Sequence, residues 1–422
     1  MTATQDAQRG EAASPLGHLL AFVGRGRSGA DVLARPSRAG VLSGAVLLAL
    51  GIAIPFIGLH IGAVLPGAVD VLDAPGTLEV LGLCFAFATV ALGFDLLFGV
   101  AGLLSFGHVL FFALGVYVLD IALSDWHLAL AVSILLTAGV SLGAAVVIGA
   151  LCLRVGGIAF AMVTLAVAQA GYYLIESNPK GSTGGDNGLV MSTDRLPGAL
   201  VGVPNTKWLY WIALGILVLA YAAVKLATEA RIGRVWLAIR ENEQRVEVLG
   251  LRPFSFKLAA FVLSSLVATA GGISYLLLIG TASPSAVAST TVTVSILVMV
   301  VLGGVATRWG AVLGACAYVY LQQLLDKLVS EPSFASLPAA LRDPLSEPDF
   351  LLGAIFVLVV LFAPGGLASI VYSLRAGAGL ARWRRGGGAP PPVAAGGTAA
   401  AGPALAAAGA RGAAGERRTG GQ

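Results

Sequence analysis

Charged residues are scarce in this chain, and that scarcity indicates its class. Only 11% of the 422 residues are Asp, Glu, Lys or Arg, whereas 57% are apolar. Soluble globular domains carry about 25% charged residues, so this chain has too few to cover a water-exposed surface. The composition therefore indicates a protein covered by lipid. The net charge of +4 is small, and we expect no nucleic-acid partner.

Cysteine and catalytic motifs are also scarce. The three cysteines, Cys84, Cys152 and Cys316, each lie in an apolar run without a partner at a metal-binding spacing. We therefore expect no disulfide framework and no metal site, and we interpret these residues as small core or lipid-facing residues. No Gly-Lys pair occurs, so the chain lacks a phosphate-binding P-loop. We predict that the chain is not an enzyme and binds no cofactor of its own.

The apolar residues fall in long runs. Runs of about 18 or more residues mark transmembrane helices, because roughly 20 residues cross the hydrocarbon core of a bilayer. We predict an all-α, polytopic membrane protein with about ten spans. The predicted spans are 40–65, 77–98, 101–122, 127–150, 156–176, 207–226, 257–279, 290–306, 310–328 and 349–371. The second and third nearly touch, as do the eighth and ninth, so either pair could contain a re-entrant or broken helix.

The placement of Lys and Arg predicts that both termini are cytoplasmic. Loops rich in these residues resist translocation across the membrane. With the N-terminus inside, the basic residues left outside are Lys180, Arg195, Lys207, Lys327 and Arg342, out of 26 in the chain. The reverse orientation would translocate most of the arginines.

This topology divides the chain into three parts. Residues 1–39 form a polar cytoplasmic segment without the apolar core of a signal peptide, so we expect the first span to be retained. Residues 40–372 form the transmembrane domain, with a cytoplasmic loop at 228–257 and an external loop at 177–206. Residues 373–422 are mostly Gly, Ala, Pro and Arg, a composition that predicts a disordered cytoplasmic tail.

The loop at 228–257 carries charge where a membrane protein should have little. An apolar stripe, interrupted at Asn242, comprises Val235, Ile239, Val246 and Leu249. Another face carries Arg234, Glu241 and Arg245, the last two in a favourable i, i+4 order. Gly250 and the following Pro253 predict the end of the helix. We predict one short amphipathic helix over 234–250, whose mixed charges suit a protein groove better than the alternative, a position in the lipid headgroup plane.

The sequence Gly233–Ser265, GRVWLAIRENEQRVEVLGLRPFSFKLAAFVLSS, resembles the cytoplasmic coupling loop of ABC importer permeases. More narrowly, it resembles the M-type permease of the branched-chain amino acid (leucine/isoleucine/valine) system. The same family is indicated by GFDLLFGVAGLLSFGHVLFFALGVY (93–117), GIAFAMVTLAVAQ (157–169), TGGDNGL (183–189), VMVVLGGVATRWGAVLGA (298–315) and LFAPGGL (361–367). The resemblance covers about residues 77–370 in collinear order, and such an ordered set is far more specific than any one motif.

The resemblance implies an importer assembled from several chains. This chain would pair with a second, similar permease, two cytoplasmic ATPases that hydrolyse ATP, and an external solute-binding protein, in a bacterial inner membrane. Movement of the helix at 234–250 would drive alternating access. The residues implied in ATPase docking are Arg234, Ile239, Arg240, Glu241, Asn242, Glu243, Arg245, Leu249 and Gly250. The solute would be a branched-chain amino acid or a related small polar molecule such as an amide or urea.

Polar residues within the spans are candidates for the translocation path. They are Asp95, Ser105, His108, Thr164 and Gln169. The glycines at 99, 102 and 107 permit an irregular backbone that could line a cavity, or a tight cytoplasmic hairpin with an interfacial histidine. Thr164 and Gln169 could contact an amino acid, although hydrogen bonding between helices is the commoner role. Asp95 and Leu103 depart from the Asn and Gln of many relatives, which bears on the solute more than on the fold.

The external loop contains the turn residues Thr183, Gly184, Gly185 and Asn187. They could form a rigid cap over the ends of the spans or contact the external binding protein. Both interpretations remain open from the sequence.

A secondary transporter driven by an ion gradient is the competing hypothesis. Such a transporter needs carboxylates within the membrane that titrate or bind ions. Asp95 is the best candidate, while Glu79 and Asp120 lie near the ends of spans. A membrane scaffold protein is a third hypothesis, which the family motifs disfavour.

Overall fold

The computed structural model describes residues 77–194, 206–330, 348–362 and 366–368. The predicted span at 40–65 and the predicted segments 1–39 and 373–422 lie outside these residues. The prediction of ten spans therefore stays a prediction, as does the side of the membrane on which the termini lie.

Helices make up most of the described chain. The first group is α1 (Thr77–Asp95), α2 (His108–Ser124), α3 (Leu130–Cys152), α4 (Gly157–Glu176) and α5 (Thr206–Glu229). The second group is α6 (Arg231–Glu241), α7 (Glu243–Val248), α8 (Pro253–Ile279), α9 (Pro284–Val287), α10 (Thr290–Gly303), α11 (Arg308–Ser330) and α12 (Pro348–Phe362). Single 3-10 turns occur at Pro179–Gly181 and Gly185–Asn187.

Six helices in the described part of the chain are long and apolar enough to cross a membrane. They are Leu78–Val100, Leu130–Cys152, Gly157–Glu176, Thr206–Glu229, Pro253–Ile279 and Pro284–Gly303. The shorter α2 is also apolar, and α11 and α12 lie at the positions of the ninth and tenth predicted spans. The protein is therefore a multi-pass membrane protein, as the apolar runs predict.

Helices α1 and α8 form the centre of the bundle. Burial reaches 78% of the most apolar window of α1 and 67% of that of α8, against 22% for α3 and α4. Around α1 pack α5, α8 and α11, while α2 packs against both α8 and α3. The outer helices α3 and α4 leave apolar faces exposed, as expected for surfaces in contact with lipid.

The segment between the second and third predicted spans is irregular. After α1, one turn of π-helix runs from Leu96 to Val100, and residues 101–107 form no helix before α2 begins at His108. The predicted start of the third span at residue 101 is therefore wrong. This stretch is apolar because it contains Leu103, Leu104 and Phe106, so hydropathy alone extends the predicted span through it.

The fold also contains one short β-pairing, a small departure from the all-α prediction. Strand β1 (Leu189–Val190) pairs antiparallel with β2 (Thr281–Ala282). The pairing joins the segment after α4 to the segment after α8. It closes the end of the bundle predicted to face outside.

The single helix predicted over 234–250 is wrong, because two helices meet at Asn242. The Asn242 backbone is extended, and its side-chain oxygen accepts a hydrogen bond from the Arg245 amide at 3.0 Å. Asn242 thus caps α7, as a short polar side chain commonly does. The break also changes the apolar stripe, since Ile239 and Val246 are buried while Leu249 is 78% exposed.

The predicted helix end at Gly250 is confirmed. Gly250 has a φ of +82°, a left-handed conformation that glycine adopts without strain. The Gly250 amide donates to the Glu247 carbonyl, and the Leu251 amide donates to the Val246 carbonyl. This is the glycine-terminated helix end that the sequence predicts, and α8 then begins at Pro253.

Candidate functional site

Three segments meet at one end of the helix bundle. They are the irregular stretch 101–107 with the preceding π-helical turn, the helices α6 and α7, and the turn 304–307 between α10 and α11. Arginine counting places all three on the cytoplasmic side. Their contacts confirm that they share one end, while the side of the membrane stays a prediction.

Helix α6 is anchored firmly to the bundle by its apolar face. Trp236 is only 1% exposed, and its indole nitrogen donates a hydrogen bond to the Phe256 carbonyl at 2.7 Å. Leu237 and Ile239 are buried beside it. Ile239 therefore packs inside this chain instead of presenting itself to a partner.

The other face of α6 and α7 is open to solvent. Among the predicted docking residues, those with exposed positions are Arg234, Arg240, Glu241, Asn242, Glu243, Arg245, Leu249 and Gly250. Glu243 forms an ion pair with Lys257 at the start of α8, a contact that fixes α7 against the bundle. Glu241 and Arg245 lie on either side of the break at Asn242, so they do not share one helix.

An exposed apolar patch adjoins these charges, and the sequence reasoning missed most of it. Its members are Val248, Leu249, Leu251 and Phe254, exposed by 87%, 78%, 40% and 43%. They surround the helix end at Gly250. A patch of apolar side chains rimmed by mixed charges is typical of a surface that contacts another protein.

Arg240 reaches from α6 to the irregular end of α1. Its Nη1 donates a hydrogen bond to the Gly99 carbonyl. The side chain lies across Gly102, where an added Cβ would stand 2.7 Å from the Arg240 Cγ. Gly102 also has a φ of +75°, so both space and backbone conformation favour glycine there.

Asp95 joins the same end of α1 to the turn 304–307. Its side chain is 2% exposed, and Oδ1 accepts a hydrogen bond from the Ala306 amide at 2.7 Å. The backbone of Ala306 approaches Gly99 so closely that an added Cβ there would lie 2.6 Å from the Ala306 nitrogen. The absence of a side chain at Gly99 therefore permits the contact between Asp95 and Ala306.

Arg308 ties the other side of this turn back to the loop. Its Nη1 donates to the Thr228 hydroxyl at 3.2 Å and lies 3.3 Å from Glu229 Oε1. Both acceptors lie at the end of α5, directly before α6 begins at Arg231. The turn is thus held between α1 and the start of the charged loop.

The path candidates Ser105, His108 and Thr164 are buried at this end of the bundle. The Thr164 hydroxyl accepts a hydrogen bond from the Phe106 amide at 3.2 Å, and Ser105 Oγ accepts one from the Gly107 amide at 3.3 Å. The first contact joins the irregular stretch to α4, and the second lies within the stretch. They do not test contact with a solute, which stays a prediction.

His108 is buried inside the bundle. It is 2% exposed, and its Nδ1 lies 3.4 Å from the Ser264 hydroxyl of α8. The imidazole meets the Phe94 ring edge-on, with ring centroids 5.7 Å apart. The two interpretations of this stretch, a cavity lining and a cytoplasmic hairpin, both stay predictions.

Gln169 lies apart from this group. Its amide nitrogen donates to the Thr290 hydroxyl at the start of α10. Thr290 follows β2 and α9, so the contact lies toward the opposite end of the bundle. The path candidates therefore do not form one cluster.

The predicted external turn is built by local hydrogen bonds. The Asn178 side chain accepts from the Thr183 amide at 2.9 Å, and the Thr183 hydroxyl donates to the Ile175 carbonyl at 2.7 Å. Gly184 and Gly185 have positive φ angles, while Asp186 and Asn187 are exposed. This arrangement fits a rigid cap, and contact with a binding protein stays a prediction.

Of the three carboxylates considered for ion coupling, Asp95 lies apart from the other two. Asp120 is fully buried on α2, and its Oδ1 accepts from the Ser124 hydroxyl at 2.9 Å. Ser124 in turn accepts from the Ser192 amide next to the external turn, whereas Asp95 lies at the opposite end. Glu79 is exposed. Within the described ranges, no group of three metal-binding side chains occurs.

Comparison with known proteins places the chain among transport proteins. Residues 76–360 match the family described as "Branched-chain amino acid transport system / permease component". No solved structure shows a significant match.

Curated relatives from three organisms share this similarity. The high-affinity branched-chain amino acid transport system permease protein LivM of Salmonella typhimurium is 27% identical over 314 residues, covering 69% of this chain and 70% of the relative. LivM of Escherichia coli is 26% identical with the same coverage. The probable branched-chain amino acid transport permease protein LivM of Methanocaldococcus jannaschii is 28% identical over 171 residues, covering 40% of this chain and 49% of the relative.

Proposed function

Since the chain belongs to the family of permease components of branched-chain amino acid transport systems, we propose that it is the membrane-spanning subunit of an ATP-driven importer for branched-chain amino acids. The family match covers most of the transmembrane domain, and the similarity to the Salmonella and Escherichia relatives covers 70% of the length of each. A transport role also agrees with the buried, broken helices of the bundle.

The observation that carries the ATP-driven mechanism is the surface of α6 and α7. Charged side chains of both signs and an apolar patch are exposed there, while the opposite face is fixed to the bundle through Trp236. Such a surface can bind a partner and transmit its movement. Because the chain carries no P-loop, the energy of ATP has to enter through another chain.

The proposed assembly contains this chain, a second similar permease, two cytoplasmic ATPases and an external solute-binding protein. It lies in a bacterial inner membrane, with about ten spans in this chain and both termini in the cytoplasm. ATP is bound and hydrolysed by the ATPases alone. The turn around Thr183 and the exposed Asp186 form a cap at the external end, where the binding protein would deliver its solute.

Co-purification of an ATPase tests this proposal. The complex is solubilised in mild detergent from its native membrane, and the ATPase that accompanies the chain is quantified. Glu241 and Arg245 are then both replaced by Ala, because their exposed charges lie on either side of the break at Asn242. We expect the double variant to lose most of the ATPase and of leucine uptake.

Arg154→Ala serves as the control, since Arg154 is an exposed arginine between α3 and α4 and lies outside the proposed docking surface. It should keep both the ATPase and leucine uptake. Leucine uptake by the purified chain without any ATPase would refute the ATP-driven mechanism. Retention of the ATPase by the double variant would refute the docking surface. Uptake of labelled leucine, urea and short amides by a deletion strain compares the candidate solutes.

A further inference from the structure

The loop that carries the proposed docking surface also contacts the irregular inner end of α1. Arg240 is the side chain that makes this contact, through the Gly99 carbonyl. Gly99 and Arg240 are 141 residues apart in the chain. The contact therefore joins two segments that are distant in the sequence.

The carbonyl that Arg240 binds belongs to the end of an interrupted helix. The last carbonyls of a helix have no partner within it, and a cation near them is favourable. Here the end is a π-helical turn, Leu96–Val100, a type of interruption that often marks functional sites. Arg240 thus contacts the π-helical turn that follows α1.

The same turn of α1 fixes a second backbone segment. Asp95 accepts the Ala306 amide, and Ala306 has a φ of +61°, an unusual conformation for a residue with a side chain. Because the backbone of Ala306 lies against Gly99, a shift of Gly99 toward Ala306 has to displace the turn 304–307 as well.

The contacts close into a ring. Arg240 of α6 donates to the Gly99 carbonyl, and Asp95, in the last turn of α1, accepts from the Ala306 amide. Arg308, two residues after Ala306, contacts Thr228 and Glu229 at the end of α5. Only Ala230 separates the end of α5 from the start of α6. Helix α6 is thereby linked to both sides of the turn, once through α1 and once through the end of α5.

Resting on the proposed function, we propose that Arg240 is a positioning residue that transmits the movement of α6 to α1 and the turn 304–307. When the ATPases displace α6, Arg240 draws the Gly99 carbonyl with it, and the contact between Asp95 and Ala306 moves α10 and α11 together with α1. Arg240 is therefore assigned to coupling and not to ATPase docking. Its loss should separate ATP hydrolysis from transport while leaving the complex assembled.

The test uses the complete transporter, purified with its ATPases and reconstituted in lipid vesicles with leucine-loaded binding protein outside. ATPase content, ATP hydrolysis and leucine uptake are measured for the wild type and for Arg240→Ala. We expect unchanged ATPase content and leucine uptake lower by about tenfold, within the range typical of coupling between sites. ATP hydrolysis should fall less than uptake, so that more ATP is consumed per leucine.

Two further variants make the outcome decisive. Arg240→Lys keeps a donor for the Gly99 carbonyl but loses the planar guanidinium, so its ratio of ATP to leucine should lie between those of the wild type and Arg240→Ala. Arg154→Ala removes an exposed arginine between α3 and α4, outside this loop, and should keep the wild-type ratio. If Arg240→Ala fails to accumulate, the ratio of ATP hydrolysed to leucine taken up is compared between Arg240→Lys and the wild type. Equal ratios would overturn the proposal.

The remaining outcomes separate this inference from the proposed function. Loss of the ATPase from Arg240→Ala would make Arg240 a docking residue and overturn the coupling role. A wild-type ratio in Arg240→Ala would overturn it too. If the wild-type chain itself carries no ATPase, the proposed function fails first, and the coupling role fails with it.

Discussion

Two side chains satisfy backbone groups that the interrupted helix and its neighbouring turn leave open. Arg240 supplies a donor to the carbonyl of Gly99, and Asp95 supplies an acceptor to the amide of Ala306. A buried backbone group without a partner costs about 1–3 kcal/mol, so each contact stabilises an irregular backbone that would otherwise be unfavourable. The contribution of each side chain to stability can be measured with substitutions that keep or remove the donor or acceptor atom.

Asp95→Asn should retain leucine uptake, because an amide oxygen can accept the Ala306 amide as Oδ1 does now. Asp95→Ala removes the acceptor and should destabilise the protein by about 1–3 kcal/mol. Thermal unfolding of the detergent-solubilised variants, together with uptake in cells, measures both effects. Loss of uptake in a stable Asp95→Asn variant would show that the carboxylate charge is required, which would favour ion coupling.

Asn242 separates two helices where the sequence predicts one. It interrupts the apolar stripe, and Asn is also a favoured N-cap, so its position permits two helices as readily as one. The structure selects two, since its side chain caps α7.

Asn242→Ala should loosen α7 by about 1 kcal/mol, the typical cost of losing a cap. Hydrogen exchange of the amides in Glu243–Val248 should accelerate, while exchange in α6 stays unchanged. Asn242→Asp, which keeps an acceptor oxygen, is the matched control and should exchange like the wild type. Equal exchange in the Ala and Asp variants would contradict the capping role.

At the scale of helices, close packing depends on small residues. An added Cβ on Gly115 would overlap the Thr269 carbonyl of α8, and one on Gly272 would overlap the Phe112 carbonyl of α2. Glycine at such positions lets the backbones of membrane helices approach each other closely. The hydrogen bond from the Thr269 hydroxyl to the Phe111 carbonyl at 3.2 Å belongs to the same contact.

Gly115→Ala should destabilise the contact of α2 with α8 by about 1–3 kcal/mol, because the added methyl overlaps a fixed carbonyl. The midpoint of thermal unfolding in detergent should fall accordingly. Gly215→Ala is the matched control, since an added Cβ in that helix meets nothing within 4 Å. The control should be neutral or stabilise the protein by about 0.5–1 kcal/mol, as Ala does in helix interiors. A smaller loss at Gly115 than at Gly215 would contradict the packing argument.

The sequence predicts the helices well and the contacts between them poorly. Long apolar runs specify where a helix crosses the membrane, because the cost of leaving backbone groups unpaired in lipid acts on each segment by itself. The run through Leu103 and Leu104 is apolar but not helical, because glycines on both sides and contacts from Arg240 and Thr164 hold it in another conformation. No spacing pattern in the sequence predicts a contact between Arg240 and Gly99.

For the whole molecule, the predicted topology places the three segments at the loop end and the turn around Thr183 on opposite sides of the membrane. Arginine counting assigns the loop end to the cytoplasm. Single cysteines at Glu247 and Asp186, both exposed, report the two sides in a variant without the native Cys84, Cys152 and Cys316. A membrane-impermeant maleimide should label Asp186→Cys in cells with an opened outer membrane, and Glu247→Cys only after the inner membrane is permeabilised. The reverse pattern would overturn the orientation and, with it, the cytoplasmic position of the docking surface, since α6 and α7 would then face away from any ATPase.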